Sequence, residues 1–320
     1  MTAFKRSQAK HVKKSYKTTN WPEYEAGLRQ RGGVTVWISE EELKGWCATP
    51  ERGQRNPGGQ QRYSNHAIET ALTVGMVFHR ALRQTEGFLQ SLFSLLGVNS
   101  RAPDHTTISR RARKLSKLPV CSAAGNKPVH ILVDSTGLSI HVGNLRKPPK
   151  DRDWRKLHLA VNALTGDAIA CDLTSKSARD ASRVPALLKQ IESPLASVSA
   201  DGAYDKEAVY DAIENHKDNR SPRVLIPPKK NAQLKPEVAV SRERNRNIRS
   251  RARLGKRQWH TKSGYSRRSM VENTMYRYKC IVGRTMRSRT LQGQRAEARV
   301  GCKILNTMTA LGMPVSHQVG

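Results

Sequence analysis

Apolar positions recur every three to four residues over 65–83 (Ile68, Leu72, Val74, Val77, Phe78, Leu82) and over 86–97 (Phe88, Leu92, Phe93, Leu96), the spacing of amphipathic helices. The whole stretch from Trp21 to about Lys117 reads as helical, broken by the Gly/Pro-rich "PERGQRNPGGQ" at 50–61. Next comes "PDHTTISRRARKL" at 103–115, where Thr106 or Thr107 is expected to cap a helix whose outer face carries Arg110, Arg111, Arg113 and Lys114. A helix, a turn around Gly97 to Pro103 and a basic helix suggest a helix-turn-helix reader; a basic amphipathic helix packed on its neighbours gives the same pattern.

After Gly125 the period changes. Residues 129–134 form a short apolar run, and 156–162 and 168–174 read as a hairpin across "ALTGD". A helix at 180–192, a strand at 196–200, a helix at 205–216 capped by Asp205 and a strand at 223–226 follow. Three leading strands, then alternating helix and strand, predict an α/β fold with a mixed sheet. Residues 229–262 hold twelve Lys/Arg against two acids with little apolar patterning, so a basic inserted loop or extended module is expected over 227–262. Helices are expected at about 266–280 and 291–312. The division is thus a basic arm at 1–20, a helical region at 21–124 and an α/β domain at 125–320.

Charge narrows the choice of partner. Lys and Arg number 57 against 26 acids in 320 residues, a formal net charge of +31. A polyanion relieves that self-repulsion, and DNA releases counterions as it does so. The first 17 residues alone hold Lys5, Arg6, Lys10, Lys13, Lys14 and Lys17 with no acid, a solvated arm that can also track phosphates. Five scattered cysteines lack a Cys-x-x-Cys pair, which argues against a disulfide framework and a structural zinc site. With no long apolar run, the protein is expected to be cytoplasmic and without a membrane partner. There is no Walker loop or dinucleotide fingerprint, so no nucleotide cofactor is expected.

Candidate chemistry lies in three carboxylates. Asp134 closes "VHILVD" and Asp201 closes "SVSAD", each followed by small residues. Tyr265, Arg268, Glu272 and Lys279 are spaced three, four and seven apart, so one helical face carries all four. Two strand-end aspartates and a helical glutamate among cations suit divalent metal held against phosphate, where two Mg²⁺ ions roughly 3.5–4 Å apart activate the attacking oxygen and stabilise the leaving one. The bland alternatives are a turn-capping role for each Asp, a surface pair for Arg268 and Glu272, and a core position for Tyr265. Asp172 is a competing strand carboxylate.

These residues carry a resemblance. "VDSTG" around Asp134, "WRKLHLAV" at 154–161, "SADGAYD" around Asp201 and Tyr-x2-Arg-x3-Glu-x6-Lys at 265–279 resemble the DDE transposases of bacterial insertion sequences, in the group holding the IS-four and IS-five families. "NWPEYEAGLRQRG" at 20–32 and "LGMP" at 311–314 are similar to its IS-five side. The resemblance implies an RNase H-like mixed-sheet catalytic core, with the basic insertion between the second Asp and the Glu, and an N-terminal DNA-binding region. It implies a catalytic, metal-holding triad of Asp134, Asp201 and Glu272. Two Mg²⁺ ions serve as cofactor, with Mn²⁺ able to substitute. It further implies cleavage at terminal inverted repeats, transfer of 3′-OH ends to target DNA, and a homodimer in the synaptic complex, in a nucleoid-associated bacterial protein. Tyr265, Arg268 and Lys279 become DNA-facing, alongside Arg110, Arg111 and Arg113 of the reader helix. Two other readings stay open: a DNA-binding protein without chemistry, and a tyrosine recombinase using Tyr265 as nucleophile.

Overall fold

The computed structural model describes residues 15–39, 43–48, 62–115, 120, 127–141, 148, 152–216, 221–229, 231–236 and 239–319. The expected loop at 50–61 and the first fourteen residues of the basic arm lie outside them.

Helices come first. After strand β1 (Ser15–Thr18) follow α1 (Trp21–Arg31), α2 (Asn65–Val77), α3 (Leu82–Leu95) and α4 (His105–Leu115). The predicted 65–83 helix ends early, at Val77, because His79 takes a positive φ of 53° and turns the chain. Asp104, not Thr106 or Thr107, caps α4: its Oδ1 accepts the Thr106 and Thr107 N–H groups, both at 3.0 Å. The Leu96–Asp104 connection is longer than the roughly 3–4-residue turn of a helix-turn-helix pair. β1 lies outside the arm's expected solvated state, pairing antiparallel with β8 (Ser316–Val319) near the chain's other end.

The sheet is built from β2 (Val129–Ile140), β3 (Trp154–Asn162), β4 (Ala168–Ser175), β5 (Leu195–Ala200) and β6 (Arg223–Leu225) in the order β4-β3-β2-β5-β6. The first three strands are mutually antiparallel, while β5 and β6 run parallel to β2 and to each other. This mixed α/β arrangement fits an RNase H-like core. Between β4 and β5 a 3₁₀ turn (Asp180–Arg183) leads into the short α5 (Val184–Leu188). The expected 180–192 helix is curtailed: Pro185 sits in its first turn, and the chain leaves after Leu188 for the strand. α6 (Glu207–Glu214) joins β5 to β6. Lys206 occupies its N-cap; Asp205 is buried and engaged elsewhere, accepting from Lys229 N–H at 3.1 Å and Arg244 Nε at 2.9 Å.

The basic insertion is largely not a loop. Residues Ala239–Ser263 form helix α7, kinked at Gly255, where φ is 70° and ψ is 167°. Polar groups supply what apolar patterning did not. Glu243 accepts the Val224 N–H at 3.0 Å and Asn247 donates to the Val224 carbonyl at 2.7 Å, so α7 covers the exposed backbone of edge strand β6. Trp259, buried against Leu225 and Tyr265, anchors its far end.

Then come α8 (Ser269–Ile281), β7 (Thr285–Met286), which pairs with the far end of β2, and α9 (Leu291–Ala310). Strand alternation sorts the core. Ile131 and Val133 face α5 and α6, with Val198 and Ala200 beside them. Leu132, Leu138 and Leu159 face α8 and α9, meeting Val271, Met275 and Leu305. α9 packs on two sides at once: Ala298 and Cys302 meet the sheet, while Val300, Ile304 and Met308 meet Ala71, Val74 and Ile108 of the N-terminal helices. Glu69 on α2 crosses that junction to Arg299 at 3.0 Å and Lys303 at 2.7 Å. Among the described residues, no helix is long and apolar enough to cross a membrane.

Candidate active site

Asp134 lies inside β2 rather than at a strand end: pairing with β3 continues through Thr136↔Leu157 and Leu138↔Arg155. Alternation gives its direction. Val133 faces α5 and α6, so Asp134 turns to the opposite face, where α8 lies. The parallel register aligns Val133 with Ala200, both on the α5 face, so the next residues, Asp134 and Asp201, share the α8 face on strands about 4.8 Å apart. Asp201 ends β5, its Oδ1 accepting the Ala203 N–H at 2.8 Å.

Glu272 arrives from α8. Arg268, one turn earlier, reaches both carboxylates: its Nη1 donates to Asp134 Oδ2 at 2.5 Å and its Nη2 to Glu272 Oε1. The bland surface-pair reading of Arg268 and Glu272 therefore covers only half of what Arg268 does. Burial pushes the Asp134 carboxyl above its ordinary pKa; Arg268 and the Ser135 N–H pull it down, and Asp201 adds repulsion. Arg268 is raised: burial works against its charge, but Tyr265, Asp134 and Glu272 outweigh it.

Tyr265 is not DNA-facing. It and Arg268 stand on a separate 3₁₀ turn (Tyr265–Arg268), so the four signature residues do not share one helix. The Tyr265 ring is buried, 5.4 Å from Trp259 and 4.7 Å from His260 between centroids. Burial raises its hydroxyl pKa, and the charges of Asp201, Asp134 and Glu272 all add to that rise, so one ring lies within the field of the whole triad. Lys279 is half-buried on α8, two turns beyond Glu272.

The arginines of α4 divide. Arg110 and Arg113 are exposed, whereas Arg111 is buried, donating to the Tyr63 carbonyl and to Asn65 Oδ1 at 2.8 Å. The expected outer face omitted the helical phase that puts Arg111 with Ile108, Ala112 and Leu115. Asp172 pairs with Arg183 at 2.6 Å and does not compete for the triad's place. Trp154 packs over Gly137 and stays 37% exposed, so it is only partly the sheet anchor expected from its motif.

A polar cluster on the other face of β2 escaped the sequence reading. Ser135 Oγ donates to Asp180 Oδ1 at 3.0 Å, and Lys156 Nζ reaches the same oxygen at 3.2 Å. His158, buried beside them, bonds Thr174 at 2.9 Å, and burial lowers its pKa against the pull of Asp180 and Asp172. The alternation of Lys156 and His158 in "KLHLAV" was the available signal; Asp180 had none, because it comes from a turn.

Do these residues suit a divalent metal? Asp134, Asp201 and Glu272 are hard oxygen donors, and a guanidinium already lodges between the first and third, so the carboxylates are arranged to take a cation. With Arg268 there, no three His, Cys, Asp or Glu side chains among the described residues converge as a metal-binding set. The donor set fits; the arginine stands in its place.

Comparison with known proteins adds the following. Residues 125–307 match a family model described as "Transposase DDE domain", and residues 29–143 match a second model of the same description. One similar solved structure is a cryo-EM structure of the piggyBac transposase synaptic complex with hairpin DNA. It is 13% identical, with 92% of this chain and 78% of that chain covered, and its TM-score of 0.37 is too low to bear on the fold.

Proposed function

The chain belongs to the family of transposases with a DDE domain, and from that premise we propose that it binds the terminal inverted repeats of its own element, cuts the ends and joins the 3′-OH ends to target DNA. The family implies a nuclease and strand-transfer enzyme and generally uses divalent metal ions; Mg²⁺ is the proposed cofactor. The observation that carries the reading is the meeting of Asp134 and Glu272 on one guanidinium, with Asp201 at the adjoining register position.

In this reading Asp134, Asp201 and Glu272 hold the metal. Bound there, Mg²⁺ supplies activation of the attacking oxygen and charge neutralisation at the leaving one. The chain's own residues do the rest. The sheet fixes Asp134 and Asp201, because neither strand can slide without moving its whole register. Glu272, 55% exposed on α8, is the adjustable member. Arg268 releases the carboxylates as metal and DNA arrive, and its charge passes to a phosphate beside the scissile one. Lys279, further along α8, meets the same strand. A synaptic homodimer brings the two ends together, since each cut end requires a site.

The test is cleavage of a labelled duplex carrying the element's own end, in Mg²⁺ or EDTA, by the natural protein and by Glu272→Gln. Metal-dependent 3′-OH ends that vanish in the variant support the assignment. Binding without cleavage by both proteins favours a DNA-binding protein without chemistry. A metal-independent covalent adduct restores the Tyr265 nucleophile.

A further inference from the structure

Helix α4 has two unlike long faces. Ile108, Arg111, Ala112 and Leu115 are buried, while Thr106, Ser109, Arg110 and Arg113, at intervals of three, one and three, line a cavity of about 690 Å³. The opposite wall is the start of α3, from Ala81 to Arg83. The basic face is thus not a convex ridge standing clear of the protein; it is one side of a cleft.

The cleft's chemistry has one sign. Arg83, Arg110 and Arg113 line it with two hydroxyls, and no carboxylate lines it. The two nearby acids are already engaged. Glu86 accepts from His105 Nδ1 at 2.8 Å, and Asp104 is taken up in capping α4. Among the described residues neither Arg83 nor Arg110 has an ion-pair partner. Three guanidiniums converging without an anion repel one another, and an anion in the cleft removes that cost. The first turn of α3 reinforces the preference, since its N–H groups lie at the positive end of the helix.

We infer that this cleft seats the phosphodiester backbone of duplex DNA, so that α4 grips the sugar-phosphate strand rather than reading base edges in the major groove. Two features favour the backbone over bases. A recognition helix must present its polar face to fit a groove about 12 Å wide, and the α3 wall stands beside this one. The available donors are also guanidiniums and hydroxyls facing inward, which suit phosphate oxygens and carry no sequence information. The inference rests on the proposed DNA-binding function, and it concerns binding alone, so its test runs without metal.

The experiment is fluorescence anisotropy in EDTA over a salt series, with a duplex bearing the element's end and an unrelated duplex of equal length. The natural protein is compared with Arg83→Gln/Arg110→Gln and with Arg83→Lys/Arg110→Lys. The Gln variant is expected to lose affinity for both duplexes by the same factor. Its slope of log affinity against log salt falls by about 1.8, at about 0.9 per phosphate contact. The Lys variant, which keeps the charge, recovers most of the loss and shows that folding is intact. A loss confined to the element's end overturns the inference in favour of base reading. Unchanged binding of both duplexes overturns it outright. So does a variant that abolishes thermal stabilisation by inorganic phosphate while leaving duplex affinity intact, because the cleft then serves a small anion. Loss of cleavage activity with this result intact would instead count against the nuclease reading alone.

Discussion

Replacing Arg268 with Ala should tighten divalent metal binding in the absence of DNA. Arg268 neutralises Asp134 through a hydrogen bond between charged groups, both ends mostly out of water, with side chains 20% and 17% exposed. Such a bond contributes about 1.5–3 kcal/mol. The second arm reaches Glu272, whose side chain is 55% exposed, so solvent screening leaves it at most about 0.5 kcal/mol. An incoming cation must give up that neutralisation or displace the guanidinium. Removing it therefore makes roughly 2–3 kcal/mol available to the metal, equivalent to about 30- to 150-fold in affinity. Isothermal titration with Mn²⁺ on the DNA-free protein measures this directly. Arg268→Lys, which keeps a charge but not the fork, should fall between the two. Equal or weaker metal binding by Arg268→Ala would refute the view that the arginine occupies the metal's place.

Other perturbations test the supporting structure. Glu69→Gln leaves Arg299, 2% exposed, short of its counter-charge and should lower unfolding stability by about 3 kcal/mol at neutral pH in urea melts. Burial opposes ionisation of Glu69, but Lys303 and Arg299 outweigh it and hold its pKa below the usual 4.5. Its stabilisation is thus full above pH 4.5 and fades as pH falls through the lower folded value, so the two proteins should converge in acid. Gly301→Ala would put a Cβ 2.7 Å from the buried Tyr278 ring, costing about 1–3 kcal/mol by overpacking; an unchanged melting temperature would contradict that packing. Tyr265→Phe should keep metal-dependent cleavage within about tenfold, because the ring packs with Trp259; complete loss with normal folding would revive a chemical role for the hydroxyl.

Strand periodicity made most of the core legible. The five main strands were expected close to their positions, and the two aspartates were marked by following apolar runs. Their pairing was not legible, because register depends on which strands become neighbours and not on either strand's own composition. Arg268 shows the same limit. Its spacing to Glu272 was visible, yet its bond to Asp134 joins residues far apart in the chain. α7 was misread for another reason: Glu243 and Asn247 fasten it through backbone groups of β6, so it needs few apolar residues and leaves little hydrophobic periodicity. In α4 the basic run drew attention to charge, and the buried phase of Arg111 was hidden within it.

The central claim is that Asp134, Asp201 and Glu272 hold catalytic metal together. Cysteine substitution at Asp201 tests it most directly, since a thiolate binds the hard Mg²⁺ poorly and the softer Mn²⁺ better. End cleavage by Asp201→Cys should be lost in Mg²⁺ and restored in Mn²⁺, while Asp201→Ala stays inactive in both. Cleavage in Mg²⁺ by the cysteine variant at the natural rate would contradict the assignment.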